Sequence, residues 1–411
     1  MRGVRGKHAM KRLLIIGYGM TAHRLVEEMR TRDRRNRWRI VVLGEEREEA
    51  YNRIALTDRL RGVPAEKLAL TALEDPRLEI RTSTGAARID RAAHEVVTTE
   101  GEGVPYDALV LATGAVPARP PLPGTGLPGC HVYRTLDDVN AIRGVAETGR
   151  DRTAVVVGGG LLGLETAEAL HRHLGVRTHV VEAARHLMPA QLDLTAAELL
   201  ATGLSRRGIR LHAGKGLLSV DAGPGGRVTG VTLTDETRIR ADLVIFTAGT
   251  RPRDDLAEAA GLPRGERGGY LVDDDCRTPD PDIWAIGDCA AIHGTRTGTV
   301  APGYHMAATV AGHLLNAPEP QPPLSPAEPS TVLKLPGVDV ASMGNPHATA
   351  EGAVELTYTH PDPTPRYAKL VLDPEAHTLR AAILLGHPGA YSRLHALVGR
   401  ELPAPAEQLL A

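Results

Sequence analysis

At 411 residues the chain is too long for one hydrophobic core, so two or three domains are expected. A net charge of −2 gives no global attraction to nucleic acid or to a membrane surface, and no apolar run approaches the ~20 residues that span a bilayer. The three cysteines, Cys130, Cys276 and Cys289, form no C-x-x-C pair, which argues against a disulfide framework and against an iron–sulfur cluster.

The first ten residues, MRGVRGKHAM, are basic but lead into no secretory core. They read as a disordered lead, or Met10 reads as a start; a cytoplasmic address follows by default. Residues 12–17 then read as a buried strand, 20–31 as an amphipathic helix and 39–43 as the next strand, a β-α-β unit. Residues 106–115 (YDALVLATGA) are another buried strand ending in glycine, and 119–129 (RPPLPGTGLPG) a connection between domains. A second β-α-β unit runs over 153–182. A helix near 193–207 and strands within 209–240 follow. Residues 241–252 (ADLVIFTAGTRP) resemble 106–117, and 282–290 (DIWAIGDCA) form a third strand of that kind. Residues 316–330 read as a proline-rich linker. Strands at 331–335, 367–372 and 379–385, with a short helix near 390–399, close the chain.

Each β-α-β unit carries a glycine turn between strand and helix. In the pattern G-x-G-x-x-G/A the first glycine permits the tight turn, the second lets phosphates approach the backbone, and the third small residue lets the helix pack on the strand. The helix N-terminus adds free N–H groups and partial positive charge. Gly17, Gly19 and Ala22, with Met20 and Thr21 between them, are followed by Glu45 and Glu46 after the next strand. Gly158, Gly160 and Gly163, with Leu161 and Leu162, are followed by Glu182. In each copy an acidic residue is expected to accept bonds from ribose hydroxyls. Two cradles imply two dinucleotides, most economically one resident FAD and one exchangeable nicotinamide. The Glu182 carboxylate favours NADH by repelling a 2′-phosphate, with NADPH as an alternative because Arg185 lies close by. No metal is expected, because the histidines show no H-x-x-x-H or H-E-x-x-H spacing on a clear helix; His171 and His173 read as surface residues.

The segments GYGMTA (17–22), LVLATGA (109–115), GGGLLGLE (158–165) and PDIWAIGDCA (281–290) are jointly specific. On them the chain resembles the flavoproteins with two dinucleotide-binding domains, the pyridine nucleotide-disulfide oxidoreductase type that includes rubredoxin and ferredoxin reductases. The segments EEREEAYNRIAL (45–56), VYRTLDDVNAI (132–142), HVVEAARHLMPAQLD (179–193), VAPGYHMA (300–307) and LKLPGVDVASMG (333–344) are similar to one branch in particular. That branch is the N-terminal flavin module of the assimilatory nitrite reductase large subunit.

The resemblance implies an α/β fold: two three-layer Rossmann-like domains for FAD and NAD(P), plus a small C-terminal α+β domain. The expected boundaries are 10–120 with 241–320 for FAD, 121–240 for NAD(P) and 331–411 for the closing domain. It also implies roles. Gly287 and Asp288 match the contact to the FAD ribityl chain, Thr113 and Gly114 the strand exit along FAD, and Ala86 a backbone contact to adenine. Arg53 matches an arginine that steadies the flavin. Gly303 and Tyr304 open a helix aimed at the flavin pyrimidine, and Gly249 matches the corresponding strand exit on the NAD side. Glu165 would meet the nicotinamide carboxamide or the flavin edge. Asp58 stands where ferredoxin reductases carry a lysine paired with that glutamate.

Relatives that reduce peroxides or disulfides need a cysteine beside the flavin, and residues 47–62 contain none, so electrons are expected to leave the flavin directly. The nitrite reductase subunit continues into an iron–sulfur segment and a sirohaem domain, so nitrite reduction by that chemistry is not expected of this sequence alone. The expected function is an FAD-dependent NAD(P)H oxidoreductase that passes electrons to a protein acceptor, a reductase catalytic subunit or a ferredoxin-like carrier, in nitrate or nitrite assimilation. The alternatives are a stand-alone flavoenzyme that reduces a small molecule and a non-catalytic FAD-holding nucleotide sensor. A homodimer is allowed; nucleic-acid and membrane partners are not expected. The arginines at 30, 32, 34, 35, 37 and 39 read as a solvated loop, with docking of an acidic protein as the other reading.

Overall fold

The computed structural model describes residues 10–148, 151–296, 298–316, 330–335, 337–347, 351–360, 366–387 and 389–410. The basic lead before Met10 and most of the proline-rich linker lie outside them. The chain divides into two compact units. One holds the described residues of Met1–Ile54, Pro64–Val116 and Thr250–Ala327; the other holds those of Ala55–Val63, Pro117–Gly249 and Glu328–Ala411. Among the described residues no helix is long and apolar enough to cross a membrane.

In the first unit a five-stranded sheet runs in the order Ile283–Ala285, Ala108–Leu111, Lys11–Ile16, Trp38–Leu43, Leu78–Arg81. Every neighbouring pair is parallel, with Leu14 opposite both Val41 and Leu109. Within the central strands, Leu13–Ile16, Ile40–Leu43 and Ala108–Leu111 are unbroken apolar runs because both faces of the sheet are covered there. Helices Met20–Arg32 and Val300–Leu314 form one covering layer, tied at their ends by Trp38, whose indole N–H donates to the Leu314 carbonyl at 3.2 Å. An antiparallel meander (Ala86–Asp90, Glu95–Thr98, Gly103–Pro105) adds Ile89, Val96 and Val104 to the same core as a third layer.

The second unit repeats this plan. Its parallel sheet runs Arg210–Ala213, Arg177–Glu182, Thr153–Val157, Leu243–Phe246, Cys130–Val132. Its meander is Leu217–Ala222, Val228–Leu233, Arg238–Arg240. Helix Leu161–Leu174 follows the central strand. Helix Leu136–Glu147 starts at a capping box: the Thr135 hydroxyl accepts from the Asp138 N–H at 3.1 Å, and the Asp138 carboxylate accepts from the Thr135 N–H at 2.9 Å.

Two boundaries fall elsewhere than the sequence suggested. Leu243–Phe246, expected in the flavin domain as part of 241–320, pairs in register with Thr153–Val157 and belongs to the second sheet. Its likeness to residues 106–117 reflects equivalent places in two sheets, each strand lying beside the one that leads into that sheet's glycine turn. The short helix Leu56–Leu60, expected within 10–120, also clusters with the second unit.

The closing segment, expected as a third domain over 331–411, clusters with the second unit, where it forms an antiparallel sheet of its own in the order Ser330–Leu335, Val338–Met343, Leu379–Leu385, Arg366–Leu372, Val354–His360. Helices Ala390–His395 and Ala406–Leu410 pack on it, Leu394 and Leu409 sharing a core with Leu370 and Leu384.

Two neighbouring strands of the second sheet place His179 Nδ1 and His212 Nε2 3.0 Å apart, with the rings stacked. Burial, then the His212, Arg210 and Arg177 charges, lowers the His179 pKa to about 4. Burial and then Lys215 lower that of His212, against the Asp235 carboxylate. Above the ordinary imidazole pKa of about 6.5 both states of the chain are neutral here and the full stability is present. As pH falls from there toward 4, the unfolded chain binds protons that the folded one refuses, and stability is lost. Thermal melts should therefore fall between pH 7 and 5, and His212→Asn should flatten part of that fall. An unchanged slope in the variant would refute the assignment.

Candidate functional site

In the first unit the strand Lys11–Ile16 ends at Gly17, whose N–H donates to the Leu43 carbonyl at 2.8 Å. Gly17 sits at φ +97°, and a Cβ there would lie 2.3 Å from the Ala112 carbonyl oxygen, so only glycine fits. Gly19 is the N-cap of helix Met20–Arg32, no side chain caps that helix, and Ala22 is buried against the core. Thr21 packs against the two glycines that the resemblance assigned to flavin. A Cβ on Gly287 would come 3.1 Å from the Thr21 hydroxyl oxygen, and one on Gly303 would come 2.7 Å from it. Gly303 is thus already required for close helix packing. Tyr304, on helix Val300–Leu314, stands beside Glu27 and Arg24 of helix Met20–Arg32, and burial raises its pKa.

The acidic residues after the second strand are both engaged. Glu45 pairs with Arg253, a bond that holds its carboxyl below the ordinary range. Glu46 pairs with Arg53 and accepts from the Tyr51 hydroxyl at 2.6 Å. The Arg53 guanidinium lies over the Tyr51 ring, 4.6 Å from its centroid. Burial pulls the Arg53 pKa down, but the Glu46 bond and the charges of Tyr51, Glu46 and Asp288 outweigh it and the net shift is upward. Arg53, Glu46 and Asp288 therefore share one electrostatic cluster. Thr113 donates to the Arg253 carbonyl at 2.5 Å, and the Gly114 carbonyl accepts from the Arg253 N–H at 2.9 Å, so this strand exit is stitched to the chain returning after Gly249. Ala86 opens the meander opposite Thr98.

The second unit builds the same device more tightly. Gly158 is at φ +119°, and a Cβ on Gly163 would lie 1.9 Å from the Gly158 carbonyl oxygen. Gly160 is the N-cap of helix Leu161–Leu174, again without a side-chain cap. Glu182 accepts from the Gly159 N–H at 2.6 Å and the Ala184 N–H at 2.8 Å. Sequence reasoning missed Gly159 and Thr247. A Cβ on Gly159 would sit 2.9 Å from Glu182 Cβ, and the Thr247 hydroxyl lies 3.1 Å from the Val157 carbonyl oxygen. The signal was the parallel between the two strand exits, which gives Thr247 in the second unit the place that Ala112 has in the first, each touching its own sheet's first cradle glycine. Gly249, at φ +94°, closes that exit with its N–H on the Thr247 carbonyl.

Glu165 faces inward, 7% exposed, with the Thr57 hydroxyl 3.3 Å from it. Asp58, at the expected lysine position, instead pairs with Arg61 at 3.1 Å, and Arg61 reaches the buried Glu168 at 3.5 Å. The basic stretch is largely committed within its own unit. Arg30 approaches Asp75 at 3.8 Å, Arg32 Glu28 at 3.6 Å, Arg37 Asp33 at 3.7 Å and Arg39 Glu79 at 2.8 Å, while Arg34 and Arg35 are exposed. That arrangement suits a stapled loop better than a docking patch. Among the described residues no cluster of three His, Cys, Asp or Glu side chains could hold a metal.

Both cradles fit a pyrophosphate. A Cβ built on Gly160 meets nothing within 4 Å, so that N-cap faces open space, and one on Gly19 meets only Arg53 Nε at 3.8 Å. First-turn N–H groups without a side-chain cap then remain for a ligand.

The sequence profile described as pyridine nucleotide-disulphide oxidoreductase matches residues 11–312. The chain is 41% identical over 97% of its length to the nitrite reductase [NAD(P)H] large subunit of Klebsiella oxytoca, covering 41% of that protein. It is 33% identical over 81% of its length to the assimilatory nitrate reductase electron transfer subunit of Bacillus subtilis, covering 42% of it. The chain thus spans less than half the length of these curated relatives. Among solved structures, the ferredoxin reductase for the CYP199A2 system of Rhodopseudomonas palustris superposes with a TM-score of 0.81 at 26% identity, with 93% of each chain covered.

Proposed function

The chain belongs to the pyridine nucleotide-disulphide oxidoreductase family, and we propose that it carries reducing equivalents from NADH through FAD to a separate protein acceptor in nitrate or nitrite reduction. It is an FAD-dependent NAD(P)H oxidoreductase by family. The observation that carries the NADH-to-FAD part of this reading is the pair of glycine cradles with uncapped helix ends, each followed by carboxylates. The names of the Klebsiella and Bacillus relatives support the nitrogen context.

Bound FAD supplies the capacity to accept a hydride and pass its electrons on. The chain's own residues hold and orient. Gly17, Gly19 and the start of helix Met20–Arg32 receive the FAD pyrophosphate, with Glu46, Arg53 and Asp288 clustered beside it. Gly158, Gly160 and the start of helix Leu161–Leu174 receive that of NADH. The family's thiol chemistry has no candidate group: burial pushes the Cys276 and Cys289 thiols up, and the half-buried Cys130 shifts the same way. Electrons therefore pass to the acceptor without a cysteine relay.

Anaerobic titration of the purified yellow protein with NADH tests the reading. Bleaching is expected, followed by reoxidation that requires a reductase catalytic subunit or a ferredoxin-like carrier. A protein that takes up no FAD, or whose colour neither NADH nor NADPH discharges, overturns it; reoxidation by a small nitrogenous compound alone would make it a self-contained enzyme. In the same assay Glu182→Gln keeps an oxygen for the Gly159 N–H, gives up the acceptor for the Ala184 N–H and removes the charge. Its preference for NADH over NADPH should fall about tenfold, or about 1.4 kcal/mol.

A further inference from the structure

The loop 182–193 links the acidic end of strand Arg177–Glu182 to helix Leu194–Arg206, and it grips the second cradle. At its start Glu182 accepts the Gly159 N–H at 2.6 Å. Midway the Met188 N–H donates to the Gly159 carbonyl at 3.0 Å, and Leu187, Met188 and Leu192 are buried. The middle residue of the turn is thus held by both its backbone groups. At the far end Asp193 caps the helix, one carboxylate oxygen accepting from the Ala196 N–H at 2.9 Å. Its other oxygen accepts from the Tyr367 hydroxyl at 2.5 Å.

Tyr367 lies on strand Arg366–Leu372 of the closing domain and is 3% exposed. Burial, then the Asp193 bond, raises its pKa, so the hydroxyl keeps its proton and remains a donor. The same domain touches this helix again where Arg207 donates to the Gly337 carbonyl at 2.8 Å.

We infer that Tyr367 is a positioning residue for the NADH site: through Asp193 it pins the far end of the loop that holds Gly159, and so sets the pyrophosphate cradle. This rests on reading the second cradle as the NADH site. The closing domain then serves nucleotide binding without touching the nucleotide. The bond joins a buried hydroxyl to a carboxylate, the stronger kind of hydrogen bond. A loosened loop end shifts N–H groups whose value to a phosphate depends on their placement.

The test is calorimetric titration of the flavin-loaded protein with NADH, beside steady-state KM and thermal melts. Tyr367→Phe should weaken NADH binding about fivefold, a partial transmission of one hydrogen bond to a charged group, with KM rising alike, kcat held and flavin content unchanged. Asp193→Asn keeps an oxygen for the cap and an N–H for the Tyr367 oxygen, and should lose less affinity than Asp193→Ala. Tyr367→Phe added to Asp193→Ala should add nothing further. A lowered melting point with NADH affinity within about twofold of the parent would leave only a structural role and overturn the inference. Should Tyr367→Phe fail to fold, equal affinities in Asp193→Asn and Asp193→Ala overturn it instead. If NADH binds but never bleaches the flavin, the electron path proposed above fails while the affinity comparison still decides this point. If the parent binds no NADH, both fall.

Discussion

Gly17→Ala should yield a colourless protein. The residue sits at φ +97°, where a side chain is strained by about 1–3 kcal/mol. Its new methyl would also stand 2.3 Å from the Ala112 carbonyl oxygen and 2.7 Å from the carbonyl carbon, both backbone atoms of the neighbouring strand exit. Relief requires the turn to lift away from that strand, at an overpacking cost of about 1–3 kcal/mol more. The turn carries the N–H groups that the FAD pyrophosphate needs, so flavin content measured after purification and after reconstitution with FAD should both approach zero. Gly144→Ala is the control. Gly144 is exposed in helix Leu136–Glu147, a Cβ there meets nothing within 4 Å, and the change should leave the colour intact while stabilising slightly. A fully yellow Gly17→Ala protein would remove the first cradle from the flavin site.

The complementary change, Gly163→Ala, should leave the protein yellow and make it nearly blind to NADH. The methyl would lie 1.9 Å from the Gly158 carbonyl oxygen and 2.8 Å from the Thr247 hydroxyl oxygen. The first cradle already carries a methyl at the equivalent Ala22, which is buried, whereas the second leaves no room for one. In the second, helix Leu161–Leu174 must move outward, carrying its N-terminal N–H groups off the phosphates. KM for NADH should rise at least about tenfold, equivalent to about 1.4 kcal/mol. Anaerobic bleaching by NADH should then need correspondingly more reductant, while dithionite still bleaches the flavin fully. Unchanged NADH kinetics would show that this turn does not carry the dinucleotide.

Much of the molecule was legible because its signals are local. The runs at Leu13–Ile16 and Thr153–Val157, each entering a glycine turn, announce buried parallel strands without reference to anything distant. Helix Leu136–Glu147 is announced locally by the T-x-x-D capping box at Thr135. The rest was hidden for identifiable reasons. Gly159 and Thr247 matter through contacts that the turn makes with a remote strand exit, which no spacing rule reports. Strands Val338–Met343 and Val354–His360 mix polar and apolar residues, and Leu243–Phe246 has an apolar run that suits either sheet. Only pairing decides which sheet takes it.

The first unit's edge strand Ile283–Ala285 and its covering helix Val300–Leu314 are made after the whole second parallel sheet has been specified by Phe246. During synthesis the early strands leave the ribosome long before their last partner exists. The second parallel sheet is therefore synthesised in full before the first has its edge strand, and a flavin site that draws on both Gly17 and Asp288 cannot be complete until residue 288 has been made.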